Sequence, residues 1–535
     1  MQADILYWGG TIYTVDPDFR VVEAMAIKDG KVLAVGSSDE IRAISSSEEI
    51  DLAGAFVYPG FQDPHCHIHR YAVSLGEADL RDAQSWDEVI DILKVFARQT
   101  ESPWIVGRGW DHNKWMGRKL PTNQDLNTLF PDRPVFLERV DIHTALVNEA
   151  AFQAATYDVE RNRRLAGGRV VFEGGRPTGI LSDDAMGDIL GFLPEPEESE
   201  MRELLRCAER RLIEAGLTGI GDALLNVDEF ERLRDMQAEG LLRMPIYGMI
   251  GEHDALSEAG SVSVREYFKD MAPIKLDRLH IGAWKFFVDG TFGSHTAALQ
   301  APYADQSATK GKLMWAYEDL KARLAELAQT DWQVNIHAIG DAATQQVLDI
   351  YQAVLPVDNP RRWRIEHAQL LDESLLRRFQ MQHIIPSIQP LQATSDLPWL
   401  DQRLGDRMAF AHPMRRFLDN DRTMCLPLST DFPVERIFPL HTYYSTITRK
   451  DPMTGAGPFI PAECLSRVDA LKGLTIWPAY AQHEEKEKGS LEVGKWADFV
   501  VLDRDILTIL ETEILDSKIR QNTIRGKIEY QVRNT

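Results

Sequence analysis

Eight short apolar runs, each followed by a polar turn and an amphipathic stretch, limit what this 535-residue chain can fold into more than any other feature. The runs are residues 56–61, 217–221, 244–250, 279–288, 333–337, 363–367, 383–388 and 424–429. Segments such as DAATQQVLDIYQAVL and DESLLRRFQMQ carry the 3.6-residue period between them. So does EPEESEMRELLRCAERRLIEAG, which opens on acidic residues and stops at Gly216. Strands that alternate with helices in this way predict an α/β fold whose parallel sheet closes into a (β/α)8 TIM barrel.

Two regions break the alternation. Residues 70–200 are too long for one strand-to-helix connection and contain their own helical and strand patterns. They read as a large insertion after the first barrel strand, forming a lid within a barrel domain that spans 61–484. The two chain ends, 1–60 and 485–535, are both strand-rich and too short for separate cores, which predicts one small β-sandwich domain built from both termini.

Charge and cysteine usage narrow the function. Lys plus Arg is 59 against 82 Asp plus Glu, a formal charge of −23. That balance excludes nucleic acid and an anionic membrane as main partners, because both reward clustered cations. The N-terminus lacks the basic flank and apolar stretch of a signal peptide, and no run approaches the ~18 apolar residues of a membrane span. Cys66, Cys207, Cys425 and Cys464 form no CxxC motif. A reducing compartment, the cytoplasm, is the expectation.

The chemistry concentrates at strand ends. In PGFQDPHCHIHR, His65 and His67 are two residues apart, so in extended chain their imidazoles share a face and can hold one metal ion. His337 closes QVNIH, His367 closes RWRIEH, and Asp431 follows MCLPLST. One strand-end histidine is more often a hydrogen-bonded core residue, and one aspartate more often a helix cap. Their shared position at the ends that carry function in a barrel argues for a common site. Lys285, between Trp284 and Phe286, has two readings. It is either an ion-paired lysine whose stem crosses apolar surface, or an amine neutralised by burial that takes up carbon dioxide and bridges two metals as a carbamate. His253, His280, His383, His412, His441 and His483 show no partner pattern.

The ordered segments PGFQDPHCH, GRGWDHNKW, PVFLERVDIHTALVN, GGRVVFEGGRPTGIL, KFFVDGTFGSHTAAL, NIHAIGDAA, RIEHAQ, STDFPV and KGSLEVGKWADFVVLD resemble the amidohydrolase superfamily end to end, within its N-substituted formamide deformylase-like (YtcJ-like) branch. The resemblance implies two divalent metal ions, zinc first with Mn²⁺, Co²⁺ or Fe²⁺ as alternatives. His65 and His67 match ligands of one metal, Lys285 the carboxylated bridging lysine, His337 and His367 ligands of the other, and Asp431 the last-strand aspartate and proton shuttle. STDFPV stands where GSD is common, and QDPHCHIHR where IDSH-x-H is usual; both leave the ligand positions in place. Trp110, Asp111 and Trp115 in GWDHNKW, with His143, suit substrate contacts.

The implied activity is metal-dependent hydrolysis of a non-peptide C–N bond in a small amide-type substrate, by a chain of a family that often forms homo-oligomers. The competing readings are a one-metal deaminase or cyclic-amide hydrolase, a lactonase or esterase, and a regulatory barrel without catalysis.

Overall fold

The computed structural model describes residues 2–532 except 113–114, 141–143, 164–167, 253–262 and 422. The chain divides into two compact units, Met1–Ile68 with Glu209–Thr535, and His69–Ala208.

In the first unit, seven parallel strands run side by side: Phe61–Cys66, Leu217–Leu225, Ile246–Gly251, Leu279–Phe287, Gln333–Ala338, Arg364–His367 and Ile385–Ser387. The eighth position holds an irregular segment rather than the regular strand expected over 424–429. Pro427 has no N–H to give a ladder, and the segment pairs through a single parallel bridge, Ile388 with Leu428. Two bonds on its other side close the ring: Asp431 N donates to His65 O at 2.9 Å, and His67 N donates to Phe432 O at 2.9 Å. The result is a TIM-like α/β barrel.

The run 56–61 does not form one barrel strand. Phe56–Pro59 pairs instead with Phe499–Leu502 in a terminal sheet, and the first barrel strand starts at Phe61. Gly60 separates the two roles. A Cβ there would lie 2.1 Å from Thr218 Oγ1, so only glycine lets the chain pass so close to the second strand.

Alternation along the strands sets the barrel interior. Val334 and Ile336 turn away from the axis, while Gln333, Asn335 and His337 turn toward it. Gln333 Oε1 accepts from the Tyr247 hydroxyl at 3.0 Å, and Asn335 Nδ2 donates to Met249 Sδ at 3.2 Å. Helices with clear stop and start signals cover the outside: Glu198–Glu214, Val227–Ala238 with an Asn226/Glu229 capping box, Asp341–Val354, and Glu373–Met381 capped by Asp372.

Both chain ends join the first unit as two sheets. Ala3–Trp8, Ala24–Lys28, Lys31–Gly36 and Ser46–Asp51 make one. Phe56–Pro59 and Phe499–Leu502 lie at the centre of the other. Tyr7, Met25 and Ile27 from the first share a core with Ile12, Val57, Phe499 and Val501 from the second.

The second unit has its own six-stranded sheet, which includes Ile105–Trp110, Val135–Arg139 and Arg176–Asp183. It carries two apolar cores of its own. Among the described residues, no helix is long and apolar enough to cross a membrane.

Candidate metal centre

The first strand delivers His65, and the residues just beyond it deliver His67. Their two Nε2 atoms lie 3.4 and 3.1 Å from the same oxygen, Asp431 Oδ1. The ligand atoms of these three residues all fall within 4.8 Å of one another. Lys285, near the end of the fourth strand, places Nζ 3.3 Å from His65 Nε2. The His367 ring centroid is 5.0 Å from that of His65 and 4.4 Å from that of His337. The six metal-ligand candidates, drawn from the ends of four strands and the closing segment, therefore meet at the C-terminal mouth of the barrel.

Two backbone features make this convergence possible. Strict alternation along Arg364–His367 turns Arg364 and Glu366 inward and would turn His367 out. His367 instead sits at φ +74° with Ala368 at +46°, which breaks the alternation and brings the ring to the same mouth as Glu366. Asp431 lies at φ +60°. Left-handed conformations at non-glycine residues cost energy and are retained where a site requires them.

Glu366, which sequence reasoning missed, organises the centre. Its Oε2 lies 2.6 Å from His65 Nδ1, so that nitrogen donates and Nε2 is left facing Lys285 and Asp431. Arg364 Nε lies 2.9 Å from the other carboxylate oxygen. Asp63 Oδ2 accepts from Thr430 Oγ1 at 2.6 Å and so ties the first strand to the closing segment. On the far side, His337 Nε2 donates to Gly290 O at 3.2 Å, which leaves its Nδ1 as the nitrogen able to accept. The signal that exposes the inner pair in the sequence is Arg364 and Glu366, two charges at period two inside an apolar strand.

Burial controls the protonation states. It pushes His65 down to about 4, with the Lys285 charge adding to the effect, and His367 down to about 3. Burial likewise pushes the Lys285 ammonium down to about 8, against the pull of Glu366 and Asp431. Burial would raise Asp431, but His65, His67 and His367 together hold its carboxyl well below the usual range.

The donor set fits a divalent cation. His65 and His367 are neutral and Asp431 is anionic at neutral pH, the forms that bind zinc-like ions. His367 Nδ1 is buried without a hydrogen-bond partner, so the protein alone leaves this nitrogen unsatisfied.

The substrate candidates in the second unit fall differently. Trp110 and Trp115 are buried in that unit's own core, and their indole N–H groups donate to Leu137 O at 2.8 Å and Ala83 O at 3.0 Å. We therefore read both as packing residues: a satisfied, enclosed indole has no face left for a ligand. Asp111 pairs with Arg139 at 2.7 Å. His143 lies outside the described residues.

The sequence model of the amidohydrolase family matches residues 48–530. The chain is 31% identical to YtcJ of Bacillus subtilis (strain 168), whose name places it among amidohydrolases, over 98% of this chain and 99% of that protein. It is 25% identical to the N-substituted formamide deformylase of Arthrobacter pascens, with 99% of each chain covered. Among solved structures, an uncharacterized metal-dependent hydrolase of Pyrococcus horikoshii OT3 superposes with a TM-score of 0.78 at 27% identity, covering 95% of this chain and 99% of that one.

Proposed function

The chain belongs to the amidohydrolase family, and on that premise we propose that it hydrolyses a non-peptide C–N bond of a small molecule, an N-substituted amide or formamide. The observation that carries this reading is the meeting of His65, His67 and Asp431 within 4.8 Å, with Lys285 Nζ 3.3 Å from His65.

His65 and His67 would hold one divalent ion and His337 and His367 a second, zinc being the first candidate. Lys285 would join the two pairs after its neutral amine adds to carbon dioxide, giving an anionic carbamate and releasing one proton. Bound divalent ions supply Lewis acidity, which polarises a carbonyl and brings the pKa of water near neutrality. Asp431, whose carboxyl the neighbouring histidines hold below its usual range, accepts the proton of the attacking water and passes it to the departing nitrogen, since an amine leaves poorly without one. Glu366 holds His65 in the tautomer whose Nε2 faces the centre.

A second reading, with one metal and an unmodified Lys285, has its own support. His65, His67 and Asp431 alone already form a three-ligand group, and the Lys285 amine is within hydrogen-bond reach of His65. Metal content per chain, measured together with intact mass under mild conditions, separates the two: two ions and an added 44 Da (~, one carbon dioxide) support the binuclear form. The hydrolase reading itself is tested on a panel of N-substituted formamides and amides after reconstitution with Zn²⁺, Mn²⁺ or Co²⁺. Metal-dependent release of amine supports it, and inactivity across the panel overturns it.

A further inference from the structure

Beyond the metal-facing side chains, the loops after the sixth and seventh strands hold a second group of buried polar residues. His412 is 2% exposed and lies at φ +48°, and its Nε2 has no hydrogen-bond partner. That nitrogen faces Asp396, 3.9 Å from Oδ2. The backbone fixes the position, because His412 N donates to Gln369 O and Leu370 bridges to Ala411. Gln369 Nε2 donates to Gln392 Oε1 at 2.8 Å, and Gln392 Nε2 donates to Asp431 Oδ2 at 3.0 Å. A hydrogen-bonded path thus connects the strand-like anchor of His412 to the carboxylate of the metal centre.

Asp396 precedes the helix Leu397–Leu404 but makes no capping bond, and among the described residues no lysine or arginine pairs with it. The Asp396 side chain is 20% exposed, and even a partly buried carboxylate is costly without a cation. Burial, reinforced by the charge of Glu435, holds the Asp396 carboxyl well above its ordinary range, and burial with Arg449 holds His412 well below its own. Arg449 Nη1 donates to His412 O at 3.2 Å but does not pair with Asp396; the neutral imidazole has a nitrogen free to accept, and an ionised Asp396 carboxyl is stable there only beside a cation.

We propose that Asp396 and His412 form a subsite for a cationic nitrogen of the substrate, an ammonium joined by a short linker to the scissile amide. This deepens the hydrolase reading and rests on it. The ammonium donates to Asp396 Oδ2 and to His412 Nε2, neutralising one and satisfying the other. The formal charge of −23 favours capture of such a substrate from solution.

The test uses the full chain reconstituted with zinc and two matched probes, pentylammonium and pentan-1-ol, bound at pH 7 and followed by calorimetry. Pentylammonium is expected to bind about tenfold or more tightly than the alcohol, with that preference abolished in Asp396→Asn and reduced at least about threefold in His412→Gln. Equal binding by the parent chain, or an undiminished preference in both variants, overturns the subsite. Melting temperatures identify any variant that fails to fold, in which case the other decides. Turnover of N-(4-aminobutyl)formamide and N-pentylformamide is measured in parallel. If neither amide is cleaved while the calorimetric preference follows Asp396, the hydrolase reading fails and the cation subsite stands. If both are cleaved with no calorimetric preference, the reverse holds.

Discussion

Glu366 Oε2 lies 2.6 Å from His65 Nδ1 with both side chains sealed from solvent, although 301 residues separate them along the chain. A short, charge-assisted bond of this kind fixes a ligand's ring and raises its basicity. Glu366→Gln keeps the volume but removes the charge. Zinc affinity, read by competition with a chromophoric chelator, is expected to fall by about 10- to 100-fold. The same substitution leaves Arg364 buried without its anion, so the metal-free variant is expected to lose about 3–5 kcal/mol in urea denaturation. Parent-like zinc affinity would detach Glu366 from the centre.

Asp431 has two oxygens with separate duties. Oδ2 accepts from Gln392 at 3.0 Å, while Oδ1 faces His65 and His67. Asp431→Asn retains the shape and can place its amide oxygen beside His65 and His67, at the cost of the Gln392 bond, but cannot take up a proton. It is expected to keep bound metal and to lose turnover by about 10²- to 10⁴-fold on whichever amide the parent chain cleaves. Full activity in a variant with normal metal content would remove Asp431 from proton transfer.

Much of this arrangement was legible in residue order, and the exceptions have physical causes. The histidines at 65, 67 and 337 follow from period-two alternation in apolar strands, because alternation alone says which way each ring points. His367 does not follow from that rule. Alternation assigns the interior to Glu366, and only the left-handed torsion at His367 lets neighbours in sequence serve the same centre; a torsion of that kind leaves no compositional trace when the residue is not glycine. The apolar run 56–61 misled for the opposite reason. Gly60 cuts it into pieces that enter different sheets, while its hydropathy stays continuous. The 424–429 run has strand-like composition, yet Pro427 denies it a ladder. His412 carries no local pattern at all, since its neighbours Gln369 and Asp396 come from other loops.

Lys285 supplies the pH dependence. Burial lowers it to about 8, so the amine is mostly protonated at pH 7 and becomes neutral as pH rises through 8. Only the neutral amine adds to carbon dioxide. Loading of a second metal is therefore expected to increase between about pH 7 and 9, and to increase further with added bicarbonate, as read by metal content after gel filtration. The direction of the stability term agrees: a lysine lowered in the folded state binds fewer protons than in the unfolded chain between about 8 and its ordinary 10.5, so the cost it imposes on folding below about pH 8 is relieved as pH rises across that window. Lys285→Met is expected to abolish the bicarbonate response. A second metal that loads equally well in that variant would favour the reading in which the lysine stays unmodified.

Trp110 separates packing from recognition in the second unit. Its ring is fully buried, stacks against Trp115 with centroids 6.0 Å apart, and donates from Nε1 to Leu137 O. Trp110→Phe keeps an aromatic ring but removes the donor to the Leu137 carbonyl. The loss of that bond and of part of the buried surface is expected to cost about 1–3 kcal/mol in denaturant titration. A ring enclosed in this way does not touch substrate, so KM for a cleaved amide is expected to stay within about twofold of the parent value. A KM raised tenfold with stability unchanged would return Trp110 to the binding surface, because a packing residue cannot lose its bond in the core without a cost in stability.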